Sequence, residues 1–460
     1  MRQLSGMDAE FLAMESGAVQ GHFGTVTVVR TLTGAPLDVR AVRERVASCL
    51  TSVPVLRQRL LTVAFGVDQP YWVDDTGFDL DFHVREVALP TSSDLWQLAN
   101  AVAGLHARRL DRRRPLWELY LISGLSEGRS AIYLKIHHAV MDGAGWSALM
   151  DALLDDEPGN PALPAGAWEA RSGPTQWDLM RRGGWSMTRS SVRSVKLGLD
   201  FMFRAPLVAA NRLAPEQWPL PLTAPPTPFN REITGARSCV LVDLPMADVL
   251  ELRRRADATV NDVVMAVVAG ALRRWLIDAG ALPVVPLIAV VPVSVRDRRD
   301  GHAFGNRLSL VRGLLPTHLE DPLERLAATR EEMRASRRRH GARPPQLLID
   351  AAQFAPPIVA DAAWRLSARV MKHVNAWNVM VSNVRGPDRT RYLAGAEVIG
   401  NYPVSVLVHG QGLNISVFSI AGRLCWGLIA DPSLVPNLPR LGAYLGDELE
   451  LLCEAMASTG

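Results

Sequence analysis

Cysteine is scarce in this sequence, and the few cysteines form no recognisable pattern. Cys49, Cys239, Cys425 and Cys453 lie far apart and include no Cys-x-x-Cys pair. This spacing argues against a zinc site built on cysteine and against a disulfide framework. A chain of 460 residues can bury a core large enough to be stable without either. We therefore expect a reducing compartment, the cytoplasm.

Long uninterrupted apolar runs are also missing. The most apolar stretch, Ala281 to Val295, is short and contains three prolines, so it predicts a buried strand rather than a membrane-spanning helix. Acidic residues at Asp8 and Glu10 stand where a signal peptide would have its apolar core. We therefore predict that the protein is not secreted through a signal peptide and that no segment spans a membrane. These absences leave open peripheral attachment to the inner face of the cell membrane or to lipid droplets.

Lysine is almost absent, because the sequence contains only Lys135, Lys196 and Lys372. Arginine supplies the other basic side chains, a bias typical of a GC-rich genome. The formal net charge is only +3, and no nucleic-acid-binding module is recognisable. We therefore predict no nucleic-acid partner.

Apolar periodicity alternates between helical and extended spacing in both halves of the chain. Helices are predicted near 38–50, 93–110, 146–154, 246–256, 261–277, 323–339 and 447–455. Strands are predicted near 63–73, 78–87, 119–122, 131–136, 238–244, 287–295, 379–384, 404–408, 412–420 and 424–429. This mixture favours an α/β (α+β) fold.

Prolines cluster on both sides of a helix-like section from Gln176 to Leu213. Proline at this density is typical of a linker. We therefore divide the chain into an N-terminal lobe over 1–156, a proline-rich linker with an amphipathic helical segment over 157–228, and a C-terminal lobe over 229–460.

The stretch from Ile136 to Gly145, Ile-His-His-Ala-Val-Met-Asp-Gly-Ala-Gly, joins a predicted strand to a predicted helix. Neighbouring strand side chains point to opposite faces, so His137 and His138 cannot share one cavity unless the backbone kinks. One imidazole is therefore predicted to serve chemistry, as a general base, and the other to serve structure. Asp142 can pair with a histidine or an arginine, and Gly143 permits close backbone approach.

Two other interpretations of this histidine pair stay open. Both imidazoles can be buried structural groups at a turn. A metal site is disfavoured, because the histidines and the carboxylate lie on a predicted loop and no third ligand follows nearby.

The stretch resembles the HHxxxDG signature of the superfamily that holds chloramphenicol acetyltransferases and condensation domains. Over almost its whole length the chain resembles, more specifically, the bacterial wax ester synthase/diacylglycerol acyltransferase family. Other motifs of that family match Ser5–Phe11, Pro115–Glu118, Asn261–Asp262 and Ser382–Pro387. Gly6 and Arg385 stand where the family has proline, and both departures lie outside the catalytic motif.

The resemblance implies that His138 takes the proton from an acceptor hydroxyl, which attacks the thioester carbonyl of acyl-CoA directly. His137 and Asp142 are then supporting residues, with Asp142 turned toward an arginine, for which Arg296 is the candidate. The resemblance also implies two chloramphenicol-acetyltransferase-like lobes around a central tunnel. It implies acyl-CoA as co-substrate, and neither cofactor nor metal. Asn261 is one candidate for stabilising the oxyanion.

Each supporting motif also has a structural interpretation. Asn261–Asp262 can cap a helix, Pro115–Glu118 can pack in the core with Glu118 answering the arginines before it, and Ser382–Asn383 can belong to an ordinary turn. The supporting or substrate-proximal candidates are Pro115, Trp117, Glu118, Asn261, Asp262, Arg296, Ser382 and Asn383.

Two further segments need an interpretation. Gly124 to Gly128 fits the G-x-S-x-G nucleophile elbow, but a strand follows it where the elbow needs a helix, so we predict a hairpin turn. The segment 177–212 interleaves arginines with large apolar residues, which suits an anionic lipid interface as well as a packed crossover helix.

The sequence therefore predicts an acyl-CoA-dependent O-acyltransferase that makes triacylglycerol or wax ester, with diacylglycerol or a long-chain alcohol as acceptor. Two alternatives stay open. One is a non-catalytic lipid-binding protein of the same fold, and the other is a condensation-type acyltransferase with a different acceptor.

Overall fold

The computed structural model describes residues 1–66, 68–141, 143–159, 168, 170, 173–182, 223–294, 308–341 and 375–458. Within these ranges the fifteen strands are β1 (Arg2–Gln3), β2 (His22–Arg30), β3 (Gln58–Leu61), β4 (Tyr71–Asp74), β5 (Val84–Ser93), β6 (Trp117–Leu125), β7 (Arg129–His137), β8 (Ser238–Pro245), β9 (Leu287–Ser294), β10 (Leu308–Leu315), β11 (Val379–Arg385), β12 (Tyr392–Leu393), β13 (Ala396–Val404), β14 (Leu413–Ile420) and β15 (Arg423–Ala430).

Helices alternate with these strands in both halves. The helices are α1 (Gly6–Met14), α2 (Val39–Cys49), α3 (Leu80–His83), α4 (Leu95–His106), α5 (Gly143–Leu153), α6 (Met246–Arg255), α7 (Val260–Asp278), α8 (Pro322–Gly341) and α9 (Leu438–Ser458), with a further helical segment over 176–182. None of the described helices is both long and apolar enough to cross a bilayer.

Two six-stranded sheets form the cores of two lobes. The N-terminal sheet has the order β12-β13-β2-β7-β6-β5, and the C-terminal sheet has the order β10-β9-β11-β14-β15-β8. A small third sheet, β1-β4-β3, lies beside the first. The predicted mixed α/β fold with two sheet-rich lobes is confirmed.

Helix ends follow the sequence signals. Asp38 caps α2, and Asp94 forms a capping box with Gln97 at the start of α4. Helix α7 is apolar on nearly every face and is accordingly buried, with α9 packed along it.

One segment from the C-terminal half of the sequence belongs to the N-terminal sheet. Strands β12 and β13 lie late in the sequence, yet β13 pairs antiparallel with β2 in the N-terminal sheet. Helix α4 of the first lobe packs against β8 of the second. The lobe and linker boundaries predicted from the sequence stay a prediction, since most of 157–228 lies outside the described residues.

Several predicted elements are wrong in place or extent. The strand predicted over 63–73 is interrupted, because Phe65 and Gly66 adopt left-handed backbone and the chain resumes as β4 only after Pro70. The strand predicted over 78–87 begins as helix α3, which Asp79 caps. The strand predicted over 404–408 in fact ends at Val404, and α9 begins at Leu438, before the predicted 447.

Candidate active site

Both histidines lie where β7 ends, and neighbouring strands fix their backbone. The amide of His137 donates to the carbonyl of Leu116 at 3.0 Å, and the amide of His138 donates to the carbonyl of Gly21 at 2.9 Å. The amide of Val140 then donates to the His137 carbonyl at 2.9 Å and closes the turn that leads to α5. Strand β7 therefore delivers both imidazoles to one edge of the sheet.

His137 is a buried ring with protein groups near both of its nitrogens. Its Nδ1 accepts a hydrogen bond from the amide of Ala139 at 3.0 Å, which leaves the proton of the neutral ring on Nε2. That Nε2 lies 3.4 Å from Oε1 of Glu15. Both ring nitrogens therefore face protein groups.

Glu15, which immediately follows α1, joins His137 to the surface. Its carboxylate accepts from Arg112 through Nε at 2.8 Å and Nη2 at 2.5 Å, and from the amide of Gly21 at 3.2 Å. Burial alone raises the pKa of Glu15, but His137, Arg112 and the Gly21 amide outweigh it and lower that pKa to about 2. The carboxylate is therefore charged beside His137.

Gly21 occupies a position that admits no side chain. A Cβ there would lie 2.5 Å from Nε2 of His137 and 3.0 Å from the carbonyl oxygen of Phe11. The same residue binds His138 through its carbonyl and Glu15 through its amide. Gly21 is thus a backbone anchor for both histidines, and the sequence interpretation missed it together with Glu15.

His138 is only half-buried and lies among aromatic rings. Phe11 stacks on it, with centroids 4.6 Å apart and planes 13° apart, and Phe23 lies 4.4 Å away at a tilt of 41°. Trp146 meets the Phe23 ring edge-on at 5.2 Å. Phe11 belongs to the Ser5–Phe11 motif, so that motif reaches the site, while Ser5 caps α1 by accepting from the amide of Asp8.

The Pro115–Glu118 motif supports β7 from the neighbouring strand. Trp117 is buried, its Nε1 donates to the Leu56 carbonyl at 2.6 Å, and its ring stacks on His83 at 4.5 Å. The carbonyl of Pro115 accepts from the amide of Trp117. Together with the bond from His137 to Leu116, these contacts agree with the packing interpretation of the motif.

Glu118 is not answered by Arg112 or Arg113, which bind Glu15 and Asp111, so that part of the expectation is wrong for these two; its Oε1 instead lies 3.6 Å from Nη2 of Arg85 on β5. It lies opposite Lys135 in the β6–β7 register, and its Oε2 is 2.9 Å from Lys135 Nζ and 2.8 Å from Tyr120 Oη. Lys135 also donates to the carbonyls of Leu105 and Arg108 near the end of α4. Burial lowers the pKa of Lys135, and Glu118 opposes that shift.

Asn261 and Asp262 have different surroundings at the start of α7. Thr259 is the helix cap, and Asp262 completes a capping box by accepting from the amide of Thr259 at 2.9 Å. Asp262 is buried, and its Oδ1 lies 3.6 Å from Arg337 on α8. Asn261 instead accepts from Nδ2 of Asn383 at 3.4 Å. The structure therefore brings two motifs together that the sequence separates widely.

Ser382 and Asn383 are half-buried residues of β11, a central strand rather than a turn. The departure at Arg385 is exposed and pairs with Asp388 at 2.6 Å. Gly386 follows, where a Cβ would lie 2.2 Å from the carbonyl oxygen of Ser419. The chain after β11 is therefore packed closely against β14 at Gly386.

Some predictions cannot be compared with the structure. Asp142 and Arg296 lie outside the described residues, as does segment 177–212 beyond residue 182. Gly143 is the first residue of α5. Gly124 and Leu125 end β6, and Ser126 to Gly128 form the turn to β7, so the predicted hairpin is confirmed. Among the described residues, no three His, Cys, Asp or Glu side chains cluster as a metal site would require.

Comparisons with known proteins agree with this geometry. Residues 4–264 match the model of the wax ester synthase/diacylglycerol acyltransferase catalytic domain, and residues 304–453 match the C-terminal domain of the same proteins. A curated relative, named probable diacylglycerol O-acyltransferase tgs2, from Mycobacterium tuberculosis (strain H37Rv), is 33% identical over 98% of each chain.

Solved structures share the fold. The wax ester synthase/diacylglycerol acyltransferase from Marinobacter aquaeolei VT8 superimposes with a TM-score of 0.74 at 28% identity, over 99% of this chain and 100% of that one. The first condensation domain of the calcium-dependent antibiotic synthetase gives a TM-score of 0.56 at 18% identity, over 99% and 96% of the two chains. The second likeness concerns the fold alone.

Proposed function

This chain belongs to the wax ester synthase/diacylglycerol acyltransferase family, and we propose that His138 is the general base of its reaction. The protein is an acyl-CoA-dependent O-acyltransferase of triacylglycerol or wax ester synthesis. The observation that carries the role of His138 is the contrast between the two rings. His137 is buried, whereas His138 is half-buried and lies beside aromatic rings.

The proposed reaction has two steps. His138 accepts the proton of the acceptor hydroxyl while the oxygen attacks the thioester carbonyl carbon, which forms a tetrahedral intermediate. The intermediate collapses with cleavage of the carbon–sulfur bond, and the imidazolium returns the proton to the departing CoA thiolate. No acyl-enzyme forms, and general-base catalysis of this kind contributes about 10²–10⁴-fold.

Glu15, Gly21 and Phe11 support this role for His138. The Gly21 carbonyl fixes the His138 backbone, and Phe11 fixes the plane of its ring. An imidazolium stacked on an aromatic face is favoured by the ring quadrupole, so Phe11 would also stabilise the base once it is protonated. Glu15 would act through His137, which it holds in one orientation.

The remaining parts of the proposal concern substrates and surroundings. We propose diacylglycerol or a long-chain alcohol as the acceptor. The acceptor would come from a lipid surface and reach His138 through a tunnel between the lobes. Asp142 paired with Arg296, and the linked amides of Asn261 and Asn383, are proposed as supporting or substrate-proximal groups. The Asn261–Asn383 contact supports the last of these.

The test is ester formation from labelled palmitoyl-CoA with diacylglycerol and, separately, with a long-chain alcohol. His138→Ala should lower the rate by about 10²-fold or more. His318→Ala, at an exposed histidine of the other lobe, should behave as the unmodified protein. Equal ester from the His138 and His318 variants would reject His138 as the base. No ester from the unmodified protein with either acceptor would favour a lipid-binding role.

A further inference from the structure

An exposed group of two aromatic and two basic side chains lies beside the small sheet of the N-terminal lobe. It consists of Phe65, Trp177, Arg181 and Arg182, and we call it the aromatic–arginine patch. Phe65 is 87% exposed and Trp177 78% exposed, and both arginines are exposed. Large aromatic side chains with this exposure are uncommon on soluble surfaces and indicate a partner.

Hydrogen bonds bring the two parts of the patch together although they lie far apart in sequence. Gln176 accepts from the amide of Ala64 at 3.2 Å and donates through Nε2 to the carbonyl of Thr62 at 3.1 Å. These bonds fix the start of the 176–182 helix against the loop that carries Phe65. The two exposed aromatic residues therefore belong to adjoining segments of one surface.

The 176–182 helix has an anchored side and a free side. Leu179 is completely buried and packs with Val63, Tyr71 and Val73. Trp177 and Arg181 are four residues apart, so they lie on the same face of the helix, which is exposed. Burial of Leu179 therefore fixes the helix so that Trp177 and Arg181 face outward and stay exposed.

The backbone at Phe65 is strained. Its φ of 59° and ψ of 8° lie in the left-handed region, which large side chains rarely adopt. Gly or Asn would fit this turn with less strain and would expose no apolar ring. Strain that persists without an internal packing gain is typical of functional segments.

The charges of the patch favour an anionic partner. The one acidic residue of the 176–182 helix, Asp178, accepts from the amide and hydroxyl of Thr175 and also interacts electrostatically with Arg181 and Arg182, so the helix carries two positive charges and one negative charge. Asp68 nearby is buried and bound by Gln3 and Tyr71. Arg181 and Arg182 thus present their charge outward beside apolar rings, a combination suited to lipid headgroups over acyl chains.

The size of the patch argues against a stable protein partner. Two aromatic side chains bury about 150–250 Å² each, whereas a stable protein interface takes about 800 Å² from each partner. We propose that the aromatic–arginine patch docks the enzyme on an anionic lipid surface, with Phe65 and Trp177 entering the interface. This inference rests on the proposed lipid acceptor, because a lipid surface is where that acceptor is found.

The first test measures co-sedimentation of the full-length protein with vesicles of phosphatidylcholine and phosphatidylglycerol. Phe65→Ser with Trp177→Ser should weaken partitioning by about tenfold or more, and Arg181→Ser with Arg182→Ser should remove the preference over phosphatidylcholine alone. Trp96→Ser is the matched control, since Trp96 is a 59% exposed aromatic on α4. Binding of the patch variants equal to that of the Trp96 variant would overturn the proposal.

A second measurement does not depend on losing binding. Phe65→Cys, made with Cys453→Ser and labelled with an environment-sensitive fluorophore, should shift its emission to the blue on adding these vesicles. The same label at Trp96→Cys should not shift. An unchanged Phe65 label, or a shift caused by protein concentration without vesicles, would refute lipid docking, and the latter would point to a second copy of the chain.

Activity separates this proposal from the reaction itself. With a short-chain alcohol and a short-chain acyl-CoA, both dispersed in water, the patch variants should transfer at the unmodified rate. His138→Ala should lose transfer but bind vesicles normally. If the patch variants lost both binding and transfer on soluble substrates, the patch would be required for the fold and the docking proposal would fail.

Discussion

Glu15 is the residue whose environment is most informative about how the site is held. It is a buried carboxylate that Arg112, the Gly21 amide and His137 surround, and no motif marks it. Strand alternation was enough to predict that His137 and His138 face different surroundings. It could not identify the partner of His137, because Glu15 approaches from more than a hundred residues away through the end of α1.

Replacing Glu15 with Gln should lower kcat about 10–100-fold while leaving the KM for acyl-CoA nearly unchanged. The change removes the carboxylate charge that lies 3.4 Å from Nε2 of His137, and a 10–100-fold loss corresponds to about 1.4–2.7 kcal/mol. Steady-state kinetics with palmitoyl-CoA would measure it, and Glu44→Gln, at an exposed carboxylate, is the control. A rise in KM with unchanged kcat would show that Glu15 serves binding and not the orientation of His137.

The same substitution should change how stability depends on pH. The pKa of Glu15 is lowered to about 2, below an unfolded value of about 4.3, so its carboxylate stabilises the fold above the unfolded pKa. That contribution is lost as the pH falls toward about 2. Urea unfolding at several pH values should therefore show that the free energy of unfolding falls less steeply toward acid pH in Glu15→Gln than in the unmodified protein.

Among the elements, β13 is a strand that the sequence pattern did not predict. Its inward residues alternate only in part, and a register shift between Val398 and Gly400 breaks the pattern. Its partner β2 lies more than 350 residues earlier, and no local signal specifies so distant a pairing. By contrast, α2, α4, α7, β7 and the β6–β7 hairpin were predictable, because caps, periodicity and turn glycines all lie within each element.

Strand β13 also depends on a glycine in the other lobe. A Cβ at Gly427 of β15 would lie 1.7 Å from the carbonyl oxygen of Pro403, a backbone atom that cannot rotate away. Gly427→Ala should therefore lower the free energy of unfolding by about 3 kcal/mol, the upper range for overpacked cores. Gly446→Ala, on helix α9 with its nearest atom at 3.8 Å, should be neutral or slightly stabilising. Thermal unfolding of both variants gives the comparison, and equal midpoints would contradict this account.

At the scale of the whole molecule, one buried arginine ties the start of the second lobe to the site. Arg237 donates through Nη1 to the carbonyls of Thr234 and Ala236, both at 2.7 Å, and through Nη2 to the carbonyl of Ala18 and the side chain of Gln20. Burial lowers the pKa of Arg237 to about 10, and Asp431 opposes that shift. The segment that it binds continues into Gly21, whose carbonyl fixes the backbone of His138.

Arg237→Lys should therefore weaken both stability and catalysis although it keeps the charge. The lysine ammonium carries its three donors on one nitrogen atom. It therefore cannot reach all four acceptors that the planar guanidinium binds together. We expect a loss of about 3 kcal/mol in the free energy of unfolding, comparable to breaking a buried charged contact, and a lower kcat at temperatures where the variant is still folded. Arg231→Lys, at an exposed arginine of the same segment, should change neither. Because the bonds from Arg237 to Ala18 and Gln20 cross between the lobes, equal behaviour of the two lysine variants would mean that the position of His138 is set within the N-terminal lobe alone.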